Sequence, residues 1–277
     1  MPPTTLEILF QINGIGSASG IVYKDNTIYL IADNGLYLYR FQIQNQKLEK
    51  IALFKNTIAE TIPKKQKPDF EAIVNYGDLF YVFGSGATKN RNRMVQYNTN
   101  TKEIKPTDLS NLYHEMQRTG NISPENFNIE GVVFTGETWY FLQRGNGEQE
   151  TNGIFTFQGK NFENTSDISF NSYSLPEING VTATFTDAVL VSDFIYFLAA
   201  AENSQSTYED GEILGSLIGR LQLKTMTIDF TEEIANTQKF EGITLYKNYD
   251  DKIEFLLCED NDTEAQQSMI YKLTLKK

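Results

Sequence analysis

Glu71-Ala72-Ile73-Val74, a turn at Tyr76-Gly77-Asp78, and then Leu79-Phe80-Tyr81-Val82-Phe83 read as two antiparallel strands joined by a tight turn. This stretch decides the fold because the chain repeats it. The opening motif recurs as Ser19-Gly20-Ile21-Val22, Glu71-Ala72-Ile73-Val74, Glu130-Gly131-Val132-Val133, Thr182-Ala183-Thr184-Phe185 and Glu241-Gly242-Ile243-Thr244, with first residues 52, 59, 52 and 59 apart. A second strand follows each copy: Ile28 to Ala32, Leu79 to Phe83, Thr138 to Leu142, Phe194 to Leu198 and Ile253 to Leu257. Third strands follow at Leu36 to Phe41, Arg93 to Tyr97, Gly153 to Phe157, Ser216 to Leu223 and Ser268 to Leu273, and fourth ones show at Lys47 to Phe54 and Thr225 to Thr231.

Five units of about 55 residues, each of about four antiparallel strands, predict an all-β, five-bladed β-propeller occupying residues 1–277 as one domain. A helical solenoid needs a 3.6-residue period that this chain lacks. The last unit has no outer strand of its own, whereas Leu6 to Ile12 has strand chemistry and precedes the first motif. The N-terminal strand is therefore expected to close the last blade and latch the ring, which favours a monomer because the first strand and the last two would otherwise be exposed edges.

Composition narrows the function. The 277 residues carry 24 Lys and Arg against 36 Asp and Glu, a net charge of −12 that repels nucleic-acid backbones and anionic membranes. No window is apolar enough to span a bilayer. The Met1-Pro2-Pro3-Thr4-Thr5 start lacks the basic-then-apolar pattern of a secretory signal, which leaves cytoplasm and export after leader removal both open. Cys258 and His114 are each the sole residue of their type, so an intrachain disulfide, a thiolate zinc cluster and paired imidazoles are excluded. His114 lies in a short amphipathic helical stretch, Ser110 to Arg118, and reads as a solvated or satisfied histidine rather than a catalytic one.

In a propeller the first strand of each blade lines the central channel. Gly20, Ala72, Gly131, Ala183 and Gly242 would let the backbones approach the axis, and Ser19, Glu71, Glu130, Thr182 and Glu241 would point into it. Three carboxylates about 5 Å apart repel by several kcal/mol at an effective dielectric near 20. Protons or a cation must neutralise them, or the glutamates hydrogen-bond backbone amides and hold the blades together. An all-oxygen shell suits calcium and fits zinc badly.

This ring resembles that of the soluble calcium-activated nucleotidases, the apyrases. That family is five-bladed and holds an axial calcium with one residue per blade in the order Ser, Glu, Glu, Ser, Glu. The resemblance implies calcium on Ser19, Glu71, Glu130, Thr182 and Glu241, and hydrolysis of phosphate esters or nucleotides at the channel mouth. It also implies a carboxylate beside the first-blade hydroxyl, where this chain has Gly20. The Asp69-Phe70-Glu71-Ala72 and Phe240-Glu241-Gly242 phrasing is similar to bacterial propellers of the esterase-like phytase kind.

The loops after the second strands would rim the mouth, and four cations stand out there: Lys89, Arg91, Arg93 and Arg144. Guanidinium forks bind carboxylate or phosphate, so these residues are candidates for a small anionic ligand. Their alternative is salt bridging to Asp33, Glu202, Glu259 or Asp260. Asp187 reads as a turn residue rather than an extra acid, and Lys64-Lys65-Gln66-Lys67 as a solvated basic run. The function expected is a calcium-dependent hydrolase, with a non-catalytic binding propeller, its ion purely structural, as the alternative.

Overall fold

The computed structural model describes residues 4–55, 67–159, 162, 167–204, 211–260 and 266–277. The chain opens with β1 (Thr5–Asn13) and then builds a first blade from β2 (Ala18–Lys24), β3 (Thr27–Ala32), β4 (Tyr37–Gln42) and β5 (Lys47–Ala52). The second blade is β6 (Phe70–Tyr76), β7 (Leu79–Gly84), β8 (Arg93–Asn98) and β9 (Ile104–Asp108). Helix α1 (Ser110–Gly120) leads to the third blade, β10 (Ile129–Phe134), β11 (Thr138–Gln143), β12 (Gly153–Gln158) and β13 (Ser169–Ser172). A small hairpin of β14 (Glu177–Ile178) and β15 (Val181–Thr182) precedes the fourth blade, β16 (Thr184–Val191), β17 (Phe194–Asn203), β18 (Glu212–Gln222) and β19 (Thr227–Ala235). The last blade takes β20 (Lys239–Asn248), β21 (Lys252–Asp260) and β22 (Gln267–Lys276) from the end of the chain, and β1 supplies its outer strand by pairing antiparallel with β22. The protein is a five-bladed propeller of four-stranded antiparallel sheets, latched as the sequence predicts.

Blade position explains strand composition. Middle strands are covered on both faces by neighbouring blades, so β3 (Thr-Ile-Tyr-Leu-Ile-Ala) is buried throughout, whereas outer strand β5 leaves Lys47 and Lys50 exposed. Five apolar clusters fill the blade interfaces. The largest side chains gather between the second and third blades, where Phe83, Trp139, Phe141 and Phe155 pack with Leu112, Tyr113 and Met116 of α1. His114 lies on the exposed face of that helix.

The inner strands share one irregularity that aims the site. Their register shifts between Ala18 and Gly20, Phe70 and Ala72, Ile129 and Gly131, Phe185 and Asp187, and Phe240 and Gly242. Each bulge leaves one residue out of the pairing, and those residues are Ser19, Glu71, Glu130, Thr186 and Glu241. A bulge re-aims a side chain, and here all five stand at the same place in their inner strands.

This register corrects the fourth motif. Thr182 is exposed and sits in the β14–β15 hairpin, outside the inner strand. Asn179 and Gly180 both adopt positive φ, 52° and 82°, the pair that a two-residue hairpin turn demands, and that turn takes up the segment before the blade begins. The bulge position belongs to Thr186, which is fully buried, and the residue after it is Asp187 rather than Ala183. Asp187 is thus an inner-strand acid and not a turn residue. Backbones do approach closely beside it: a Cβ on Gly131 would lie 3.1 Å from the Asp187 Cα.

Candidate functional site

The mouth of the channel holds two charged clusters. The first joins blades one and two. Asp69 precedes β6 with a φ of 52°, and its Oδ2 accepts from Ser85 Oγ and lies 2.5 Å from Arg91 Nη1. Its Oδ1 lies 2.8 Å from Lys67 Nζ, which also contacts Asp33 Oδ2 across the blade boundary. Asp33, Asp69 and Glu71 each present a carboxylate oxygen within 4.8 Å of the others. Among the described residues, Asp33 Oδ1 is buried without a hydrogen bond, and Glu71, only 9% exposed, makes neither a hydrogen bond nor an ion pair. Burial drives the Glu71 carboxyl well above its ordinary range, and the charges of Asp69, Glu130, Glu241 and Asp33 push the same way.

The second cluster joins blades three, four and five. Arg144 stands at its centre, with Nη1 3.3 Å from Glu130 Oε1 and 4.0 Å from Glu241 Oε1, and Nη2 against Glu202 Oε2. Lys239 Nζ lies 2.8 Å from Glu241 Oε1 and 3.5 Å from Glu202 Oε2. Asn128 Nδ2 donates to Glu130 Oε1 at 2.7 Å. Burial lifts Glu241 to about 8, although Lys239 opposes it. Burial also works to raise Glu202, but Arg144 and Lys239 prevail and hold that carboxyl below its ordinary value. Arg144 and Lys239 keep their charge, because the surrounding carboxylates outweigh a burial that disfavours it.

Six acids in these clusters, Asp33, Asp69, Glu71, Glu130, Glu202 and Glu241, face four cations, Lys67, Arg91, Arg144 and Lys239. The formal balance is −2. Asp187 lies beneath, 2% exposed, its Oδ2 accepting from the Ile243 amide at 2.8 Å, and burial raises its carboxyl well above the ordinary range.

The four cations expected to grip an anion do not converge. Arg91 and Arg144 are buried in ion pairs, and the Arg144 partner Glu202 is one of the salt-bridge alternatives that the sequence offered. Arg93 holds its guanidinium 5.7 Å over the Phe54 ring. Lys89 is exposed and lines a separate cavity of about 260 Å³ beside α1, with Thr88, Asn92, Ser110, His114 and Gln117. Of the metal candidates, Ser19, Glu71, Glu130 and Glu241 occupy bulge positions and Thr182 does not. Sequence reasoning missed Lys67, read as solvated but only 7% exposed, and it missed Lys239 and Thr186. Lys64 and Lys65 lie outside the described residues.

Comparison with functionally described proteins finds no sequence match. Among solved structures, the fold is similar to an endo-arabinase from Bacteroides thetaiotaomicron, with a TM-score of 0.52 and 11% identity over 98% of this chain and 97% of that one. It is similar also to the Malassezia sympodialis allergen Mala s 1, with a TM-score of 0.52 and 8% identity over 95% of each chain. Against the hydrazine synthase of Kuenenia stuttgartiensis the TM-score is 0.44 at 10% identity, and the match takes in 90% of this chain but 57% of that one. At such identities the likeness is one of fold. A family model, described as a family of unknown function (DUF6929), matches residues 14–275, and the chain belongs to that family.

Proposed function

We propose that the channel mouth binds one hard divalent cation of the calcium class and presents it to a small polar ligand. The observation that carries this reading is Glu71, a buried carboxyl with no hydrogen bond or ion pair among the described residues, whose oxygen lies within 4.8 Å of those of Asp33 and Asp69. The donor set is all oxygen, and Asp33 Oδ1 accepts no hydrogen bond among the described residues. The expected ring of five ligands contracts on this reading. Glu130 and Glu241 are already neutralised by Arg144 and Lys239, and the Ser19 and Thr186 hydroxyls donate to backbone carbonyls. Glu71, Asp33 and Asp69 would hold the ion. A bound cation of this class supplies a Lewis acid that polarises an oxygen of the ligand.

The phosphoester part of the expectation loses support, since Arg91 and Arg144 are spent on carboxylates. A hydrolase acting on an uncharged or weakly charged polar substrate fits the mouth better. A second reading has its own observation: Arg144 touches acids of three blades, so ion pairs alone could pin the ring and leave a non-catalytic module.

Calorimetric titration with calcium, with metal analysis of the purified protein, tests the proposal. Binding at micromolar Kd that is lost in Glu71→Gln supports it. No heat and no retained metal would leave the ion-pair module. Screening aryl glycosides, esters and phosphate esters with calcium and with chelator then separates hydrolase from binding module.

A further inference from the structure

The ammonium of Lys67 sits where a bound cation would sit. Its Nζ bridges Asp33 Oδ2 and Asp69 Oδ1, two of the three acids whose oxygens converge within 4.8 Å, and the residue is 7% exposed. Arg91 differs in kind. It holds the other oxygen, Asp69 Oδ2, together with Ser85, on a side chain 4% exposed. Lysine carries a compact charge on a flexible four-carbon stem, whereas the guanidinium fork of Arg91 is fixed by its planar geometry. On the Asp33 side the cluster is less covered, since that side chain is 24% exposed.

The local charge balance gives this contact a consequence. Counted with all three acids ionised and Lys67 in place, three carboxylates face two cations and the cluster is one charge negative. With Lys67 withdrawn, it is two charges negative and matches a divalent ion. We infer that Lys67 is the exchangeable occupant of the Asp33–Asp69–Glu71 site, a tethered ammonium that a divalent cation must displace and that therefore sets the affinity of the site. This rests on the reading that the mouth binds such a cation, and it goes further by naming the residue that competes. Lys67 is here a positioning residue that acts through the acids and touches no ligand itself.

The test is calcium calorimetry at fixed pH and ionic strength on the full chain and on Lys67→Met, Lys67→Arg and Glu71→Gln, with thermal midpoints taken to verify folding. Removing a positive charge a few ångströms from the ion is expected to tighten calcium binding at least about tenfold in Lys67→Met. Lys67→Arg should bind as the wild type or more weakly, and Lys67→Met combined with Glu71→Gln should lose the gain. A folded Lys67→Met with unchanged or weaker binding overturns the inference. Should Lys67→Met fail to fold, Lys67→Ala titrated in the presence of methylammonium replaces it. The free amine should then compete with calcium in Lys67→Ala and not in wild type, and absence of competition overturns the inference. If wild type binds calcium and the lysine variants bind no better, only this inference falls. If wild type does not bind and Lys67→Met does, the inference stands and the lysine holds the native site closed. If none binds, both readings fall.

Discussion

Thr186 on the fourth blade donates its hydroxyl to the carbonyl of Phe240 on the fifth, at 2.7 Å, and both groups are buried. Ser19 makes the same bond to Phe70, one blade boundary along from the latch, at 2.5 Å. In each case the acceptor is the residue just before the next bulged glutamate. The two blades whose bulge carries a hydroxyl thus stitch themselves to the neighbour that carries an acid. Thr186→Val keeps the shape and removes the hydroxyl that donates to the Phe240 carbonyl, a loss of about 1–2 kcal/mol. Thr182→Val, on the exposed hairpin, should stay within about 0.5 kcal/mol of wild type. Denaturant unfolding of the two variants checks the register directly.

Asp187 gives stability a pH dependence of known sign. Its folded-state carboxyl is raised above the ordinary value of 3.8 by burial, so its contribution is complete below that pH and is lost as pH climbs through the folded value. Asp187→Asn keeps an acceptor for the Ile243 amide and has no charge to bury. Relative to wild type it should gain on the order of 1 kcal/mol for each unit by which the native carboxyl is raised, once pH exceeds that value. The two proteins should converge below about pH 4. Melting curves across the pH range are the measurement.

Arg144 neutralises acids from three blades, so its removal should cost far more than the loss of a surface charge. Arg144→Met leaves Glu130, Glu202 and Glu241 buried with Lys239 alone, and about 3–5 kcal/mol of stability should go. The deficit should narrow on acidification as the unpaired carboxyls take up protons. Lys89→Ala, by contrast, should unfold with wild-type stability within about 0.5 kcal/mol.

Gly84 tests whether the first charged cluster depends on backbone contact. A Cβ there would lie 2.3 Å from the Arg91 carbonyl oxygen and 2.6 Å from that of Pro68, both backbone atoms that cannot swing aside. Gly84→Ala is expected to cost roughly 2 kcal/mol or more. It should also weaken any cation binding at Asp33, Asp69 and Glu71, because the loop that carries Arg91 must move. Unfolding and calcium calorimetry on the same sample read both effects.

The blade plan was legible because each strand pair obeys its own local chemistry, and Ser19, Glu71, Glu130 and Glu241 could be placed from the motif alone. Thr186 was hidden by Thr182, four residues earlier, whose small-residue neighbours imitate the motif while Asn179-Gly180 forms a separate hairpin. A signal was nonetheless present. Three of the other bulges follow Phe70, Ile129 and Phe240, and Phe185 marks the fourth blade in the same way. Lys67 and Lys239 were not legible. Whether a lysine turns inward or stays solvated depends on which acids the ring brings to it, and Asp33 and Glu202 reach them from neighbouring blades. The same holds for Arg144, whose three partners are between 14 and 97 positions away in the chain.

Of the ring's strands, the one that completes the fifth blade is synthesised first. β1 precedes every blade, yet its partner β22 follows every other strand, so the ring stays open until β22 is made. Blades one to four can assemble during synthesis, while β1 waits with an unpaired edge and with Ile8 and Leu9 exposed even in the finished fold. Closure is therefore a late, long-range event, and at high concentration a β1 from one molecule can fill the gap in another. The latch that completes the fifth blade also makes concentration during refolding the variable that decides between closed monomers and exchanged pairs.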